Sequence, residues 1–487
     1  MKGSCPIRLG AESHPEALAL TFAGRSWTYA RMDLEVDRWV GTLQARGVGR
    51  GVCVGVLSTN HVALTHLFFA LGRLGAVLAL FNARLTPAEL RPLIDDVGPR
   101  LLLALDSLRA RLPDAEPLET FADAVAGPSR DCALLEDDAP RVILFTSGTT
   151  GRPKGAVITE GNFRASARCS EANLGTHPAP RWLGTLPLFH VGGLAMLTRT
   201  AYAGGGLVLR ERFTVEDTNR ALDEEGITHA SFVATTLEQV LEARGGRPVP
   251  ATFRWSLIGG GPVPAPLLAR ARAAGLGPLQ TYGLTEACSQ VATEAPDEAD
   301  GLTAGRALPG LELRITAPSG EPLGVGEEGD IEVRGPTVMA GYLNRPEATR
   351  DALRDGWLRT KDVGRLDARG RLTVLSRRTD LILRGGENIY PAEIEKVLAD
   401  HPAVREVAVV GIPDARWGEV PVAFVVMRAE GGGPEELGGW CRGALAGFKI
   451  PARFLALESL PRNAMGKVER AVLRERARRD VLEMTPA

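Results

Sequence analysis

A doubly wound α/β fold followed by a small separate α+β domain is predicted by three observations. Up to Gln280, short apolar runs alternate with amphipathic stretches, the pattern of parallel strands joined by crossover helices. From Gly305 to Leu375 the chain changes to short strand-like pieces (LELRI, GDIEVRG, RLTVL) between Gly, Pro and Asp turns, which predicts a small antiparallel β unit within a large N-terminal domain, residues 1–376. After Ser376 a new series of strands and helices begins, and its ~110 residues suffice for a domain of their own, residues 377–487. At 487 residues the chain also exceeds what one hydrophobic core fills.

Taken in order, Val52–Leu57 (VCVGVL) is a buried strand, Val62–Leu74 a helix and Ala76–Phe81 a strand. Thr86-Pro87 opens a helix to Asp95, since threonine caps and proline suits the first turn. Leu101–Leu105 is a further strand. The acidic, proline-containing segment Leu112–Pro140 is a surface connection. Arg141–Phe145 is a strand that runs into a glycine- and hydroxyl-rich stretch, Thr146–Gly155. A second βα series spans Trp182–Gln280. Beyond the boundary at Arg377–Asp380, VREVAVVGI and PVAFVVM are strands. Pro391 opens a helix with Ile394, Val397 and Leu398 as its buried stripe. Gly431–Gly433 is a surface loop.

The formal net charge of −2 carries no basic excess, which excludes nucleic acid and anionic membrane as partners. The most apolar stretch, Val62–Phe81, contains His66 and Arg73 and divides into a helix and a strand, so stable membrane insertion is not expected. No basic start with an apolar run opens the chain, so a cytoplasmic location is expected. Cys5, Cys53, Cys132, Cys169, Cys288 and Cys441 are scattered without metal-ligand spacing, which points to mostly buried free thiols. A homodimer is compatible with the sequence.

Chemistry concentrates in six strings. In Phe145-Thr-Ser-Gly-Thr-Thr-Gly-Arg-Pro-Lys-Gly155, glycines let backbone N–H groups turn toward an anion, while Thr146, Ser147, Thr149, Thr150 and Lys154 add donors around Gly148. A P-loop is excluded: Pro153 stands where its second glycine belongs, and Gly155 rather than Ser or Thr follows Lys154. Gly259-Gly260-Gly261-Pro262 is a tight turn after an apolar run, and Gln280-Thr-Tyr-Gly-Leu-Thr-Glu286 follows. Gly356-Trp-Leu-Arg-Thr-Lys-Asp362, Arg384-Gly-Gly-Glu387 and Pro461-Arg-Asn-Ala-Met-Gly-Lys467 complete the set.

Together these strings resemble the adenylate-forming superfamily of acyl-CoA synthetases, luciferases and peptide-synthetase adenylation domains, over nearly the whole chain. The resemblance implies a mobile C-terminal lid and a two-step reaction with ATP, Mg²⁺ and coenzyme A: an acyl-adenylate forms, and then a thioester. It implies that Tyr282 stacks on adenine beside Gly259–Gly261, that Thr285 meets the phosphate, and that Glu286 holds magnesium. Asp362 would grip the ribose hydroxyls, with Arg377 as a second contact. The family usually has glycine before that aspartate, and here Lys361 takes its place. Gly385, Gly386 and Glu387 would line the coenzyme A channel. Lys467 would bridge the attacking carboxylate and the α-phosphate, since both reactants are anions and the transition state adds charge at phosphorus.

Within the superfamily, Leu186-Pro-Leu-Phe-His190-Val-Gly-Gly-Leu-Ala-Met-Leu-Thr-Arg199, Thr285–Gln290 and Ser376–Pro391 resemble the o-succinylbenzoate–CoA ligases of menaquinone biosynthesis. Their acid is a dicarboxylate whose aryl carboxylate needs a cation. The resemblance implies that Arg199 supplies it, that His190 shapes the acyl pocket or gates the thiol channel, and that Gly283, Ser289 and Gln290 lie along the acid. Leu194, Leu197 and Ala201 are expected as that helix's core stripe, with Arg199 off it. Other expectations are an acyl-CoA synthetase of different specificity and a non-catalytic nucleotide-binding protein, which would have no use for Lys467.

Overall fold

In a computed structural model of the chain, the described residues are 5–121, 127–133, 136–146, 153–175, 177, 179–261, 263–377, 380–384, 387–414, 417–428, 434–445, 447–463 and 466–482. They divide into two compact units. One comprises Met1–Gly259, Arg270–Leu313 and Glu332–Thr360, and the other Gly260–Ala269, Arg314–Ile331 and Lys361–Ala487.

The first unit holds two large sheets. One has seven strands in the order Gly341–Tyr342, Lys154–Thr159, Pro140–Thr146, Val77–Phe81, Cys53–Leu57, Leu101–Ala104 and Glu116–Pro117. It is parallel from Pro140–Thr146 to Glu116–Pro117, with two antiparallel strands at the other edge. The other has nine strands. Its parallel middle runs through Pro278–Leu284, Trp255–Ile258, His229–Phe232, Arg181–Gly184, Gly206–Leu209 and Leu18–Phe22. Parallel strands buried on both faces read as continuous apolar runs, and VLALF at 77–81 is buried throughout.

The helix Val62–Leu74 has the predicted bounds, capped by His61 Nδ1 accepting from the Ala63 N–H at 3.2 Å. Helix Pro87–Val97 opens with a capping box between Thr86 and Glu89. The first helix is buried on nearly every side, Arg73 included; its guanidinium bridges Asp33 and Asp37, with Arg8 2.8 Å from Asp33 and 2.5 Å from Asp37 as a second cation. Four charges thus neutralise one another beneath the sheet.

Three expectations change. The connection Leu112–Pro140 is not all surface: Glu116–Pro117 forms an edge strand, and Leu118 and Phe121 are buried. The segment 305–375 does not form one β unit, because Arg306–Ala307 extends the nine-stranded sheet and Gly341–Tyr342 the seven-stranded one. The remaining pieces make a five-stranded sheet, in which Trp357–Leu366 pairs antiparallel with Leu353–Arg354 and Leu372–Arg377. In the helix Pro391–Ala399, Glu395 joins Ile394 and Leu398 inside, while Val397 is half-buried. Glu395 accepts from the Val409 N–H at 2.8 Å and pairs with Arg470 at 2.5 Å, so the buried charge is satisfied.

Val404–Asp414 and Gly418–Met427 form a long antiparallel pair in the second unit. Alternate residues face opposite ways. Val409, Ala423 and Val425 meet Ile394, Leu398 and Leu437 on one side. Val410, Val422 and Phe424 meet Leu460, Leu473 and Ala477 on the other. Both faces are covered, which explains why Val407–Ile412 and Val422–Val426 read as unbroken apolar runs within VREVAVVGI and PVAFVVM. Gly431–Gly433 lies outside the described residues.

Candidate active site

The phosphate-loop string sits between two antiparallel strands. Thr146 faces Lys154 across the ladder, and its hydroxyl lies 3.4 Å from the Lys154 carbonyl oxygen. Ser147, Gly148, Thr149 and Thr150 lie outside the described residues. Lys154 Nζ stands 5.3 Å from the centre of the Tyr342 ring, and the Tyr342 hydroxyl donates to Glu286 Oε1 at 2.8 Å. One tyrosine therefore touches both the cation assigned to phosphate and the carboxylate assigned to magnesium. The backbone supports this: Tyr342 pairs with Ala156, and the Met339 N–H donates to the Glu286 carbonyl at 2.9 Å. Tyr342 was missed in sequence, although it stands in a two-residue strand at the edge of the sheet that carries Lys154.

Gly259 and Tyr282 lie at or just beyond the carboxyl ends of neighbouring parallel strands, where open α/β sheets bind ligands. Gly260 takes φ +85°, so the chain turns away after the strand. Tyr282, Thr285 and Glu286 are half-buried and in reach of solvent. Gly283 answers a close approach: a Cβ there would lie 1.6 Å from the Ser289 carbonyl oxygen. Ser289 has φ +91° and is half-buried, and Cys288 has φ +52°, so the strand Ser289–Thr293 starts from a strained corner.

Arg199 is not off a stripe. Its helix, Val191–Tyr202, is buried from Gly193 to Ala201, and Arg199 is 5% exposed. Its Nη2 donates to Gln290 Oε1 at 2.6 Å, and the guanidinium lies 4.9 Å from the Trp182 ring centre. Trp182 in turn stacks on His229 with centroids 4.9 Å apart. Arg199 Nε has no hydrogen-bond partner among the described residues, and no carboxylate pairs with the group there. Burial alone pushes its pKa down to about 10, so it stays charged at neutral pH. Gln290, 3% exposed, spends its amide on Arg199 and on Thr293 Oγ1 at 3.0 Å.

His190 stands immediately before that helix and makes no capping bond. Its Nε2 is buried without a partner among the described residues, and its ring lies 4.5 Å from Phe189. The loop before it is held by Asn60, another residue missed in sequence. Asn60 Nδ2 donates to the carbonyls of Leu186 and Arg210 at 3.0 and 2.9 Å, and its Oδ1 accepts from the Leu188 N–H at 2.7 Å.

Burial lowers the pKa of His66 to about 3 and those of His190 and His229 to about 4. Between about pH 6.5 and pH 4 the unfolded chain binds protons there that the folded chain refuses. Stability therefore falls on acidification through this window, by up to ~1.4 kcal/mol per pH unit for each histidine. Denaturant midpoints at pH 7 and pH 5 measure this; equal midpoints would show that these rings are not held neutral.

In the second unit, Asp362 is 6% exposed and faces Arg377 directly across antiparallel strands. The two residues assigned to ribose are thus cross-strand partners. Lys361 has φ +64°. This is the left-handed region, which explains the usual glycine and shows that lysine keeps the conformation under strain. Lys361→Gly is expected to hold or raise the thermal midpoint, and Lys361→Val to lower it by the equivalent of ~1 kcal/mol or more. Arg384 pairs with Glu387 around Gly385 and Gly386, which lie outside the described residues. The Lys467 N–H donates to Asn463 Oδ1 at 3.0 Å in a tight turn.

A family model for AMP-binding enzymes matches residues 7–343, and one for the AMP-binding enzyme C-terminal domain matches residues 393–467. The chain belongs to the AMP-binding enzyme family. Among members of this family, the 2-succinylbenzoate–CoA ligase of Geobacillus kaustophilus is 41% identical over 469 residues, which is 94% of this chain and 95% of that one. That of Bacillus cereus strain Q1 is 40% identical over 95% and 96%. The Bacillus subtilis o-succinylbenzoate CoA synthetase, solved with its acyl-adenylate intermediate, is 37% identical with a TM-score of 0.90, covering 97% of this chain and 98% of that one. The same enzyme has been solved with ATP and magnesium, at 36% identity and a TM-score of 0.89 over 98% and 99% of the chains.

Six cysteines are free, three of them buried and three half-buried. Among the described residues no helix is long and apolar enough to cross a membrane.

Proposed function

We propose that this AMP-binding enzyme is an ATP-dependent o-succinylbenzoate–CoA ligase of menaquinone biosynthesis, acting through an acyl-adenylate. The observation that carries the choice of acid is Arg199: a buried cation with an unused N–H and no carboxylate partner among the described residues. A buried charge of this kind is unfavourable until an anion neutralises it. A monoacid would be consumed by adenylation and leave Arg199 unpaired, whereas a dicarboxylate brings a second carboxylate. Relatives of that activity at about 40% identity support the same choice.

In this account Lys154 and the hydroxyls of the loop hold the triphosphate, Tyr282 and the Gly259–Gly261 turn hold adenine, and Asp362 with Arg377 holds ribose. Glu286 fits a magnesium site. Its carboxylate is half-buried, fixed by Tyr342, and lies close to Lys154 through that ring, which suits a hard ion that takes most of its oxygens from the nucleotide. When bound, the ion neutralises phosphate charge. The carboxylate of the acid attacks the α-phosphorus and the α–β phosphoanhydride bond breaks to release pyrophosphate, while Lys467 offsets the repulsion between the two anions. His190 is uncharged at neutral pH, so it shapes the acyl pocket without repelling or attracting the acid. Gln290 orients Arg199, and Gly283 and Ser289 line the acid. The thiol of coenzyme A then displaces AMP through the channel at Gly385, Gly386 and Glu387, after the lid, residues 377–487, rotates about Arg377–Asp380. A cytoplasmic location accords with the free thiols, and the assembly proposed is a homodimer.

Exchange of pyrophosphate into ATP that depends on o-succinylbenzoate tests the first half-reaction. In that assay Tyr342→Phe is expected to raise the magnesium requirement about tenfold, because the bond it removes goes to a charged carboxylate. An unchanged magnesium dependence would remove Tyr342 from the site.

A further inference from the structure

The turn that carries Lys467 is held in an unusual way. Arg462 and Val468 form an isolated bridge at its base. Within it the Asn463 N–H donates to the Lys467 carbonyl at 2.8 Å, and the Gly466 N–H donates to the Asn463 carbonyl at 2.9 Å. Gly466 takes φ +77°, which permits the sharp turn just before the lysine. The Gly466–Lys467 peptide is then gripped from both sides. Its N–H donates to Asn463 Oδ1 at 3.0 Å, and its carbonyl accepts from Arg462 Nη1 at 2.8 Å. The other arm of the guanidinium, Nη2, meets Glu406 Oε2 at 2.5 Å. Glu406 lies on the strand Val404–Asp414, beside the register shift between Val404 and Glu406, and Arg405 approaches its other oxygen at 3.7 Å.

We infer that Arg462, braced by Glu406, is a positioning residue that aims Lys467 during adenylate formation. This rests on the role proposed above for Lys467. The plane of a peptide bond sets the direction in which the next Cα–Cβ bond leaves the chain. Fixing the Gly466–Lys467 plane at both its oxygen and its nitrogen therefore fixes where a long, flexible lysine begins. The guanidinium suits the task, since its planar fork reaches a carbonyl and a carboxylate at once. Glu406 also neutralises Arg462. Both partners are part-exposed, 30% and 22% for the side chains, so the pair contributes little to folding and its loss is expected to show in catalysis.

The test separates the half-reactions in the full-length enzyme. Pyrophosphate exchange with o-succinylbenzoate reads adenylation, and synthetic o-succinylbenzoyl-adenylate with coenzyme A reads thioester formation, which makes no use of Lys467. Arg462→Ala and Glu406→Gln are expected to lower the exchange rate about 10- to 100-fold, the scale of a misplaced catalytic group, with KM for ATP little changed. Thioester formation from the synthetic adenylate is expected to stay within about twofold, and Arg462→Lys to recover part of the exchange. Adding Arg462→Ala to Lys467→Ala is expected to cause no further loss, because the first residue acts through the second. Equal losses in both half-reactions, unaffected exchange, or a double variant much worse than Lys467→Ala would overturn the assignment. If Lys467→Ala itself retained full exchange, the role of Lys467 would fail and Arg462 with it. If only Arg462→Ala retained it, the failure would belong to this inference alone.

Discussion

Lys467→Ala is expected to lower adenylate formation about 10²- to 10³-fold while leaving thioester formation from the synthetic adenylate near its normal rate. The magnitude is that of removing one preorganised donor from a developing charge. The split between the steps follows from the proposed lid rotation, in which Lys467 serves the first step and the Gly385–Glu387 loop the second. The effect is expected in kcat rather than in KM for ATP, because in the proposed site Lys154, Tyr282 and Asp362 hold the nucleotide without it. Pre-steady-state measurement of each half-reaction checks this. Equal slowing of both steps would mean that Lys467 maintains the lid and does not act on the reacting groups.

Arg199→Met is expected to raise KM for o-succinylbenzoate about 10- to 100-fold or more, the equivalent of ~1.5–3 kcal/mol for a charge-assisted contact. KM for ATP should not move. The stability of the same variant decides between two views of this arginine. A structural arginine in a neutralised pair would unfold the protein when removed, as Arg73 between Asp33 and Asp37 should. Arg199 has one amide oxygen, one indole face and an unused Nε. Replacing it with an apolar side chain is therefore expected to leave the thermal midpoint unchanged or higher, a trade of stability for substrate binding. A large fall in the midpoint with KM unaltered would make Arg199 part of the core instead.

These two residues were legible in the sequence to different depths. Lys467 and its string stand together in the chain, so the role expected of it came from the motif alone. Arg199 was visible as a candidate, but its burial was not. An amphipathic stripe presumes one wet face, and the helix Val191–Tyr202 has almost none. The same presumption misplaced Glu395, which is inside because Arg470 and the Val409 N–H answer it. Tyr342 escaped because its partners are 56 residues away at Glu286 and farther still at Lys154. Pairing through the edge of a sheet leaves no local pattern. The segment 305–375 reads as one β unit for a related reason: strand character is local, whereas the choice of sheet is decided by distant partners, and Arg306–Ala307 and Gly341–Tyr342 join others. Lys361 shows the converse. Its departure from glycine was plain in sequence, and the backbone kept the left-handed conformation regardless.

The most direct test of the central claim is ATP- and coenzyme A-dependent release of AMP by the purified protein with o-succinylbenzoate, benzoate, butyrate, octanoate and malonate. Strong preference for o-succinylbenzoate is expected, with that preference lost in Arg199→Met. Turnover of benzoate, butyrate or octanoate at a comparable kcat/KM would contradict it, and would show that the buried arginine does not select a dicarboxylate.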